Sequence, residues 1–150
     1  MKDQFGRDGI VLENALAFWV NRFYEGTRRA MYRAFRARGF ELTPEQWMVL
    51  VRLWDRDRRT QADLAESITR DAPTTSRIVS SMEKGGLVTR ELSDDDGRTR
   101  LIALTRKGRE AKATLVPVVK KLVDAFEDGI SESDLATTRR TLRKMAARLA

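Results

Sequence analysis

The chain contains no cysteine and no histidine. The first absence excludes thiol nucleophiles, disulfides and thiolate metal ligands. The second excludes imidazole metal sites and histidine-based proton transfer. Long apolar runs are also missing: runs such as Trp47-Met48-Val49-Leu50-Val51 fall far short of the ~20 residues that span a bilayer. The opening Met1-Lys2-Asp3-Gln4-Phe5-Gly6-Arg7-Asp8 lacks the apolar centre of a signal peptide. The expectation is a soluble, cytoplasmic chain with no membrane contact. Carboxylate chemistry and an oxygen-ligated Mg²⁺ or Ca²⁺ survive these filters, but no catalytic constellation accompanies them, so no cofactor and no metal site is expected.

What is abundant is positive charge. Across 150 residues, 29 Lys and Arg against 22 Asp and Glu leave a net charge of +7. Arg supplies 22 of the 29 basic residues, a bias suited to bidentate contacts with phosphate or guanine. A polyanion is the first partner this balance suggests. The bias is equally compatible with genome base composition. The length and the 41% hydrophobic content fit one domain or one subunit of a compact dimer.

The apolar residues Leu12, Leu16, Trp19, Phe23, Ala30, Met31, Ala34 and Phe35 recur at helical spacing. They predict one helix over residues 9–38, reaching about 45 Å, that bends or crosses a partner subunit. Gly39 is its C-terminal stop. Thr43-Pro44-Glu45-Gln46 announces a second helix, with Thr43 as N-cap and Gln46 reaching back. Thr60 caps a short third helix with Ala62, Leu64, Ala65 and Ile68 inward, and Asp71 caps a fourth that Gly85-Gly86 halts. The period then changes. Leu87–Ser93 and Thr99–Leu104 read as strands, joined through Asp94-Asp95-Asp96-Gly97-Arg98, a strong hairpin signal. Helical spacing returns from Thr105 to Glu127, with Pro117 as a kink or boundary. After Ser131 a last helix lines up Leu135, Leu142, Met145 and Leu149.

Two short helices, a tight turn and a hairpin describe a winged helix-turn-helix: a mainly α fold with a small β-hairpin wing. In the second motif helix Ile78, Val79, Met82 and the Thr75 methyl face inward, while Thr74, Ser76, Arg77, Ser80 and Lys84 face out. Small hydroxyl residues around one arginine suit a helix in the major groove, where Arg77 reaches guanine O6 and N7 with two parallel bonds. An ordinary solvated face has the same composition. At the hairpin tip Arg98, with Arg100 on the same face, sits beside three aspartates. Acidic residues suit a DNA-facing loop if Asp96 pairs with the Arg98 guanidinium and extends it into a narrow minor groove; otherwise the tip is an idle charged turn. The aromatics Trp19, Phe23, Trp47 and Trp54 either border a ligand pocket or are plain core. Arg28, Arg29, Arg33, Arg36 and Arg38 either clamp a carboxylate ligand or form a solvated face.

Several short stretches stand in order: Leu42-Thr43-Pro44-Glu45-Gln46-Trp47, Leu64-Ala65-Glu66, Pro73-Thr74 with Arg77, Gly86-Leu87-Val88-Thr89-Arg90, Asp96-Gly97-Arg98, Leu104-Thr105 and Gly108. Together they resemble the multiple-antibiotic-resistance regulator (MarR) family of bacterial transcription factors, over roughly Leu12 to Leu149. The Asp-x-Arg tip leading into Leu-Thr-x-x-Gly is the most specific part.

The resemblance implies a single domain over residues 1–150, in which 9–38 and 106–149 dimerise and 43–104 bind DNA. It implies a homodimer on a pseudo-palindromic duplex operator, acting as a repressor, with a small aromatic anion as effector. By position, Pro73, Thr74, Ser76, Arg77 and Ser80 face the major groove and Lys84 lies on the same side. Arg98 enters the minor groove, Arg90 holds the backbone, and Thr60 and Gln61 lie near phosphate. The chain departs from the family at Thr69, where glycine is usual, and at Arg70, where a small apolar residue is usual. Arg70 either snorkels outward or adds a phosphate contact, the second being the expectation here. Lack of cysteine sets the chain apart from the peroxide-sensing members, and lack of histidine and cysteine from the zinc-sensing ones. Two other readings stay open. One is a winged-helix module for protein or RNA contact, and the other an enzyme using carboxylates among Asp94, Asp95 and Asp96, where an exposed turn offers nothing to desolvate them.

Overall fold

A computed structural model describes residues 5–6 and 9–149. The expected first helix begins later than its apolar spacing suggests. Two-residue strands, β1 (Phe5–Gly6) and β2 (Gly9–Ile10), pair antiparallel, and a single 3-10 turn follows at Leu12–Asn14. Only then does α1 (Leu16–Arg36) start, giving a helix of about 31 Å. The break is local: Ala15, at φ −86° and ψ 123°, is extended and separates the 3-10 turn from α1. The Trp19 indole N–H donates to the Glu13 carbonyl at 2.7 Å and joins the 3-10 turn to the helix. At the other end Gly39, at φ +81°, stops α1 as expected, with Phe40 N–H returning to the Phe35 carbonyl at 3.0 Å.

The next boundaries follow the capping chemistry. In α2 (Pro44–Asp55) the Thr43 hydroxyl accepts from Gln46 N–H at 3.3 Å, and the Gln46 side chain accepts from Thr43 N–H at 3.0 Å. Gln46 is buried and also donates to the Ser81 hydroxyl at 3.1 Å, so the cap of α2 fastens it to the helix it packs on. Thr60 and Asp71 cap α3 (Gln61–Ser67) and α4 (Ala72–Lys84). Within α3, Leu64 and Ala65 are buried as expected, whereas Ala62 is exposed.

The hairpin consists of β4 (Val88–Leu92) and β5 (Arg100–Leu104), with Val88 opposite Leu104 and Leu92 opposite Arg100. A third strand, β3 (Arg59–Thr60), adds to the other edge of β5, making the order β3-β5-β4. Two residues are too few to show alternation, and this strand left no trace in the sequence pattern. The helix α5 (Arg106–Glu127) runs on through Pro117, which is no boundary. Pro117 lies on the exposed side and gives up one hydrogen bond, while buried Leu115 and Val118 anchor the helix on both sides of it. The last helix, α6 (Glu132–Ala146), is capped by Ser131 and has no buried residue.

The core gathers Leu50, Leu53, Leu64, Val79, Met82, Ile102 and Leu115, to which α1 contributes only Phe35. Gly108 makes the closest approach in it: a Cβ there would sit 2.1 Å from the Leu87 carbonyl oxygen, so the first turn of α5 can lie on β4 only without a side chain.

Candidate nucleic-acid interface

The start of α4 is built by Asp71. Its carboxylate accepts from Thr74 N–H at 2.7 Å and from the Thr74 hydroxyl at 2.9 Å, and these bonds hold it below the ordinary aspartate value. Thr75 turns inward and donates its hydroxyl to the Asp71 carbonyl at 2.9 Å. The outer face then carries exposed Pro73, half-buried Thr74 and Ser76, exposed Arg77, half-buried Ser80 and exposed Lys84, as the helical spacing predicted. The Arg77 guanidinium rests on the Thr74 hydroxyl at 3.2 Å, one turn back along the same face. Arg90, from β4, is held between Glu83, through a close ion pair, and the Ser80 hydroxyl at 3.2 Å. Its charge is thus laid along α4.

At the wing tip the aspartates take roles that differ from the expected one. Asp96 does not pair with the Arg98 guanidinium. One oxygen of its carboxylate accepts from the backbone N–H groups of Arg98 at 2.9 Å and Thr99 at 2.8 Å, and the other accepts from the Thr99 hydroxyl. The Thr99 hydroxyl and these backbone donors hold Asp96 below the ordinary value. A carboxylate two residues before an arginine meets the nearer backbone donors first. Gly97, at φ +62°, completes the turn. Asp94 is taken by Arg58, whose guanidinium bonds Glu91 at 2.8 Å and Asp94 at 3.1 Å and fixes the base of the wing. Among the described residues, the Arg98 and Arg100 side chains have no hydrogen bond or ion pair, and both are exposed. The tip is therefore a backbone-capped turn presenting two uncommitted guanidinium groups. Arg58 escaped the sequence reading because it lies 33 and 36 residues from its partners.

Thr60 caps α3 by accepting from Asp63 N–H at 3.1 Å, and Gln61 is half-buried beside it. Arg70, half-exposed, lies back along its own turn: Nη2 is 3.6 Å from Glu45 and Nη1 donates to the neighbouring Thr69 carbonyl at 3.3 Å. Thr69 itself occupies the left-handed region at φ +54°, the position where glycine costs nothing.

The four aromatics do not share one pocket. Trp47 and Trp54 meet edge-on with ring centres 5.4 Å apart, and Phe35 stacks obliquely on Trp47 at 5.6 Å. The Trp54 indole donates to the Gly108 carbonyl at 2.9 Å, pinning α2 to α5. These two tryptophans, with Val51, Asp55, Lys112 and Val116, line an open cleft of about 540 Å³. Phe23 lies instead against Phe126, 6.0 Å away, in a second groove between α1 and α5. Trp19 is exposed near the start of α1, with the Arg22 guanidinium 6.0 Å from its ring. Helical spacing put all four on plausible faces but carried no information on which faces meet. Of the α1 arginines only Arg28 forms an ion pair among the described residues, at 2.7 Å from Glu45.

Residues 42–100 match the model of the MarR family. The chain is 30% identical over 120 residues to the organic hydroperoxide resistance transcriptional regulator of Bacillus subtilis (strain 168), covering 79% of this chain and 78% of that protein. The chain belongs to the MarR family. Its structure is similar to that of CouR from Rhodococcus jostii RHA1 bound to p-coumaroyl-CoA, at 25% identity and a TM-score of 0.76, covering 91% of this chain and 94% of that one. The same fold is found in MepR of Staphylococcus aureus, solved as a complex with DNA, at 21% identity, TM-score 0.81 and coverage of 92% and 99%. The winged helix-turn-helix with a three-stranded wing is thus the MarR fold, and the face just described is its wing and second motif helix. No helix among the described residues is long and apolar enough to cross a membrane.

Proposed function

We propose that this MarR-family chain is a homodimeric transcriptional repressor that reads a pseudo-palindromic duplex through α4 and the wing. The observation that carries this reading is the wing tip, where capping leaves the Arg98 and Arg100 charges unpaired and outward among the described residues. Residues 43–104 form the DNA-binding part, and 9–38 with 106–149 the dimerising part. Short side chains at Thr74, Ser76 and Ser80 let the α4 backbone approach base edges, and Arg77 supplies the bidentate contact to guanine. Pro73 and Lys84 flank that contact at the two ends of the helix. Arg98 enters the adjoining minor groove, oriented by Asp96 through the backbone, with Arg100 on its rim. Arg90, Thr60 and Gln61 hold phosphates, which position the protein without reading sequence.

The apolar side chains left open on α1, α5 and α6 support a second copy as the dimer partner. Phe23 on α1 is 62% exposed, Val123 on α5 39% and Met145 on α6 43%, outside the buried core. The cleft beside Trp47 and Trp54 supports an aromatic anion as effector, with Lys112 as counter-charge. This chain has no thiol to oxidise, so its signal differs from peroxide chemistry at cysteine.

Binding to duplexes selected from a randomised pool tests the proposal. A palindromic consensus is expected, and Arg98→Ala weakens binding to it by about 1–2 kcal/mol without changing dimer mass. Equal affinity for random duplex and for RNA at moderate salt favours the interaction-module reading instead.

A further inference from the structure

One ion-pair cluster lies outside the DNA-reading face and is not used by it. Glu45, in the first turn of α2, has a side chain only 13% exposed, and its Oε1 is approached by three donors from two other parts of the chain. The Tyr24 hydroxyl at 3.1 Å and Arg28 Nη1 at 2.7 Å come from α1, and Arg70 Nη2 at 3.6 Å comes from the turn that enters α4. Burial disfavours the charged form of Glu45. Its own backbone N–H, the Arg28 charge and the Thr43 and Tyr24 hydroxyls outweigh that, and the carboxyl sits below its ordinary value. The cluster therefore stays ionised at neutral pH. Two cations share this one carboxylate, which is shielded from counter-ions.

Arg70 is thereby bent back on its own turn, with one nitrogen toward Glu45 and another on the Thr69 carbonyl. It directly precedes Asp71, the cap of the helix that meets DNA in the proposed function. We propose that Glu45 is a positioning residue that withholds Arg70 from phosphate and ties the entry of α4 to α1. This rests on the DNA-binding reading above. The number of phosphate charges neutralised is then set partly by α1: when Tyr24 and Arg28 shift, the hold of Glu45 on Arg70 changes with them. An added arginine contact is blind to sequence and strengthens binding to any duplex.

The test is the dependence of affinity on salt for the consensus duplex, measured on the full-length dimer. Freeing one Arg70 per subunit in Glu45→Gln adds two contacts, steepening the slope of log affinity against log salt by about 1.8. Between 50 and 200 mM salt that is about a tenfold larger loss of affinity. The double variant Glu45→Gln with Arg70→Gln returns the slope to that of the parent. Arg70→Gln alone leaves the parent slope in place. If Glu45→Gln does not fold, Glu45→Asp, whose shorter side chain also draws back from Arg70, is expected to steepen the slope, an unchanged slope overturning the proposal. An unchanged or shallower slope in Glu45→Gln overturns the proposal, as does a slope flattened by Arg70→Gln alone, which marks Arg70 as already on phosphate. Failure of the parent to bind any duplex overturns the DNA reading and this inference together.

Discussion

The core residues lie almost entirely between Leu42 and Val118, whereas in α1 before Phe35, the end of α5 and all of α6 no apolar side chain is fully buried and many are exposed. The difference is one of self-sufficiency. In the first region α2, α3, α4, the three-stranded sheet and the start of α5 close on one another, and polar pins such as Trp54 to Gly108 and Gln46 to Ser81 fix their positions. Asp57 adds another by accepting from Leu104 N–H at 2.8 Å with Arg109 alongside at 3.7 Å. In the second region a stripe of helical spacing is present that the single chain covers only in part. A hydrophobic stripe shows that a helix will be buried; it does not name the chain that buries it.

Truncating the closed core breaks the first region most severely. Leu50→Ala, fully buried, is expected to cost about 2–5 kcal/mol in urea unfolding, because the surrounding elements cannot collapse into the gap. A charge on the open face attacks the second region instead. Val123→Asp, at 39% exposure in the single chain, should leave the fold of one subunit intact while destabilising a dimer by about 3 kcal/mol or more. Sedimentation at several concentrations reads this directly, and unchanged dimer mass removes that face from the interface.

The wing tip and the sheet behind it also differ in what holds them. Asp96 holds the wing tip only while ionised, and its carboxyl lies below its unfolded value. The stabilisation is therefore complete above the unfolded value, near pH 4, and is lost as pH falls through the lower folded value. Amide exchange at Arg98 and Thr99 should accelerate in that acid range while exchange at buried Ile102 does not. Smallest is the turn before α4, where Thr69→Gly removes left-handed strain and should raise stability by about 0.5–1 kcal/mol, read from the urea midpoint.

The elements most legible in the sequence were those decided within a few residues. Thr43, Thr60, Asp71 and Ser131 all cap the helices that follow them, each accepting from a backbone N–H three residues on. The Asp-Gly turn lies between strands close to those expected. The outward face of α4 was legible too, since Val79 and Met82 fix the inward side and the rest follows from 3.6 residues per turn. The start of α1 was misread because the apolar spacing begins at Leu12, although the backbone at Val11 and Ala15 is extended. The single aromatic pocket failed for a different reason, since faces that meet across elements leave no local periodicity.

Helix ends, the strand turn and the side of each helix that seeks an interior were thus written into short stretches of chain, because hydrogen bonds across three or four residues and alternation of polar and apolar groups need no distant partner. Where the charges went was settled by folding alone. Arg58 reached Glu91 and Asp94, Glu45 gathered Arg28 and Arg70, and Trp54 found Gly108. A guanidinium or an indole is satisfied by whichever acceptor the packing brings within about 3 Å, and only the assembled molecule determines which one that is.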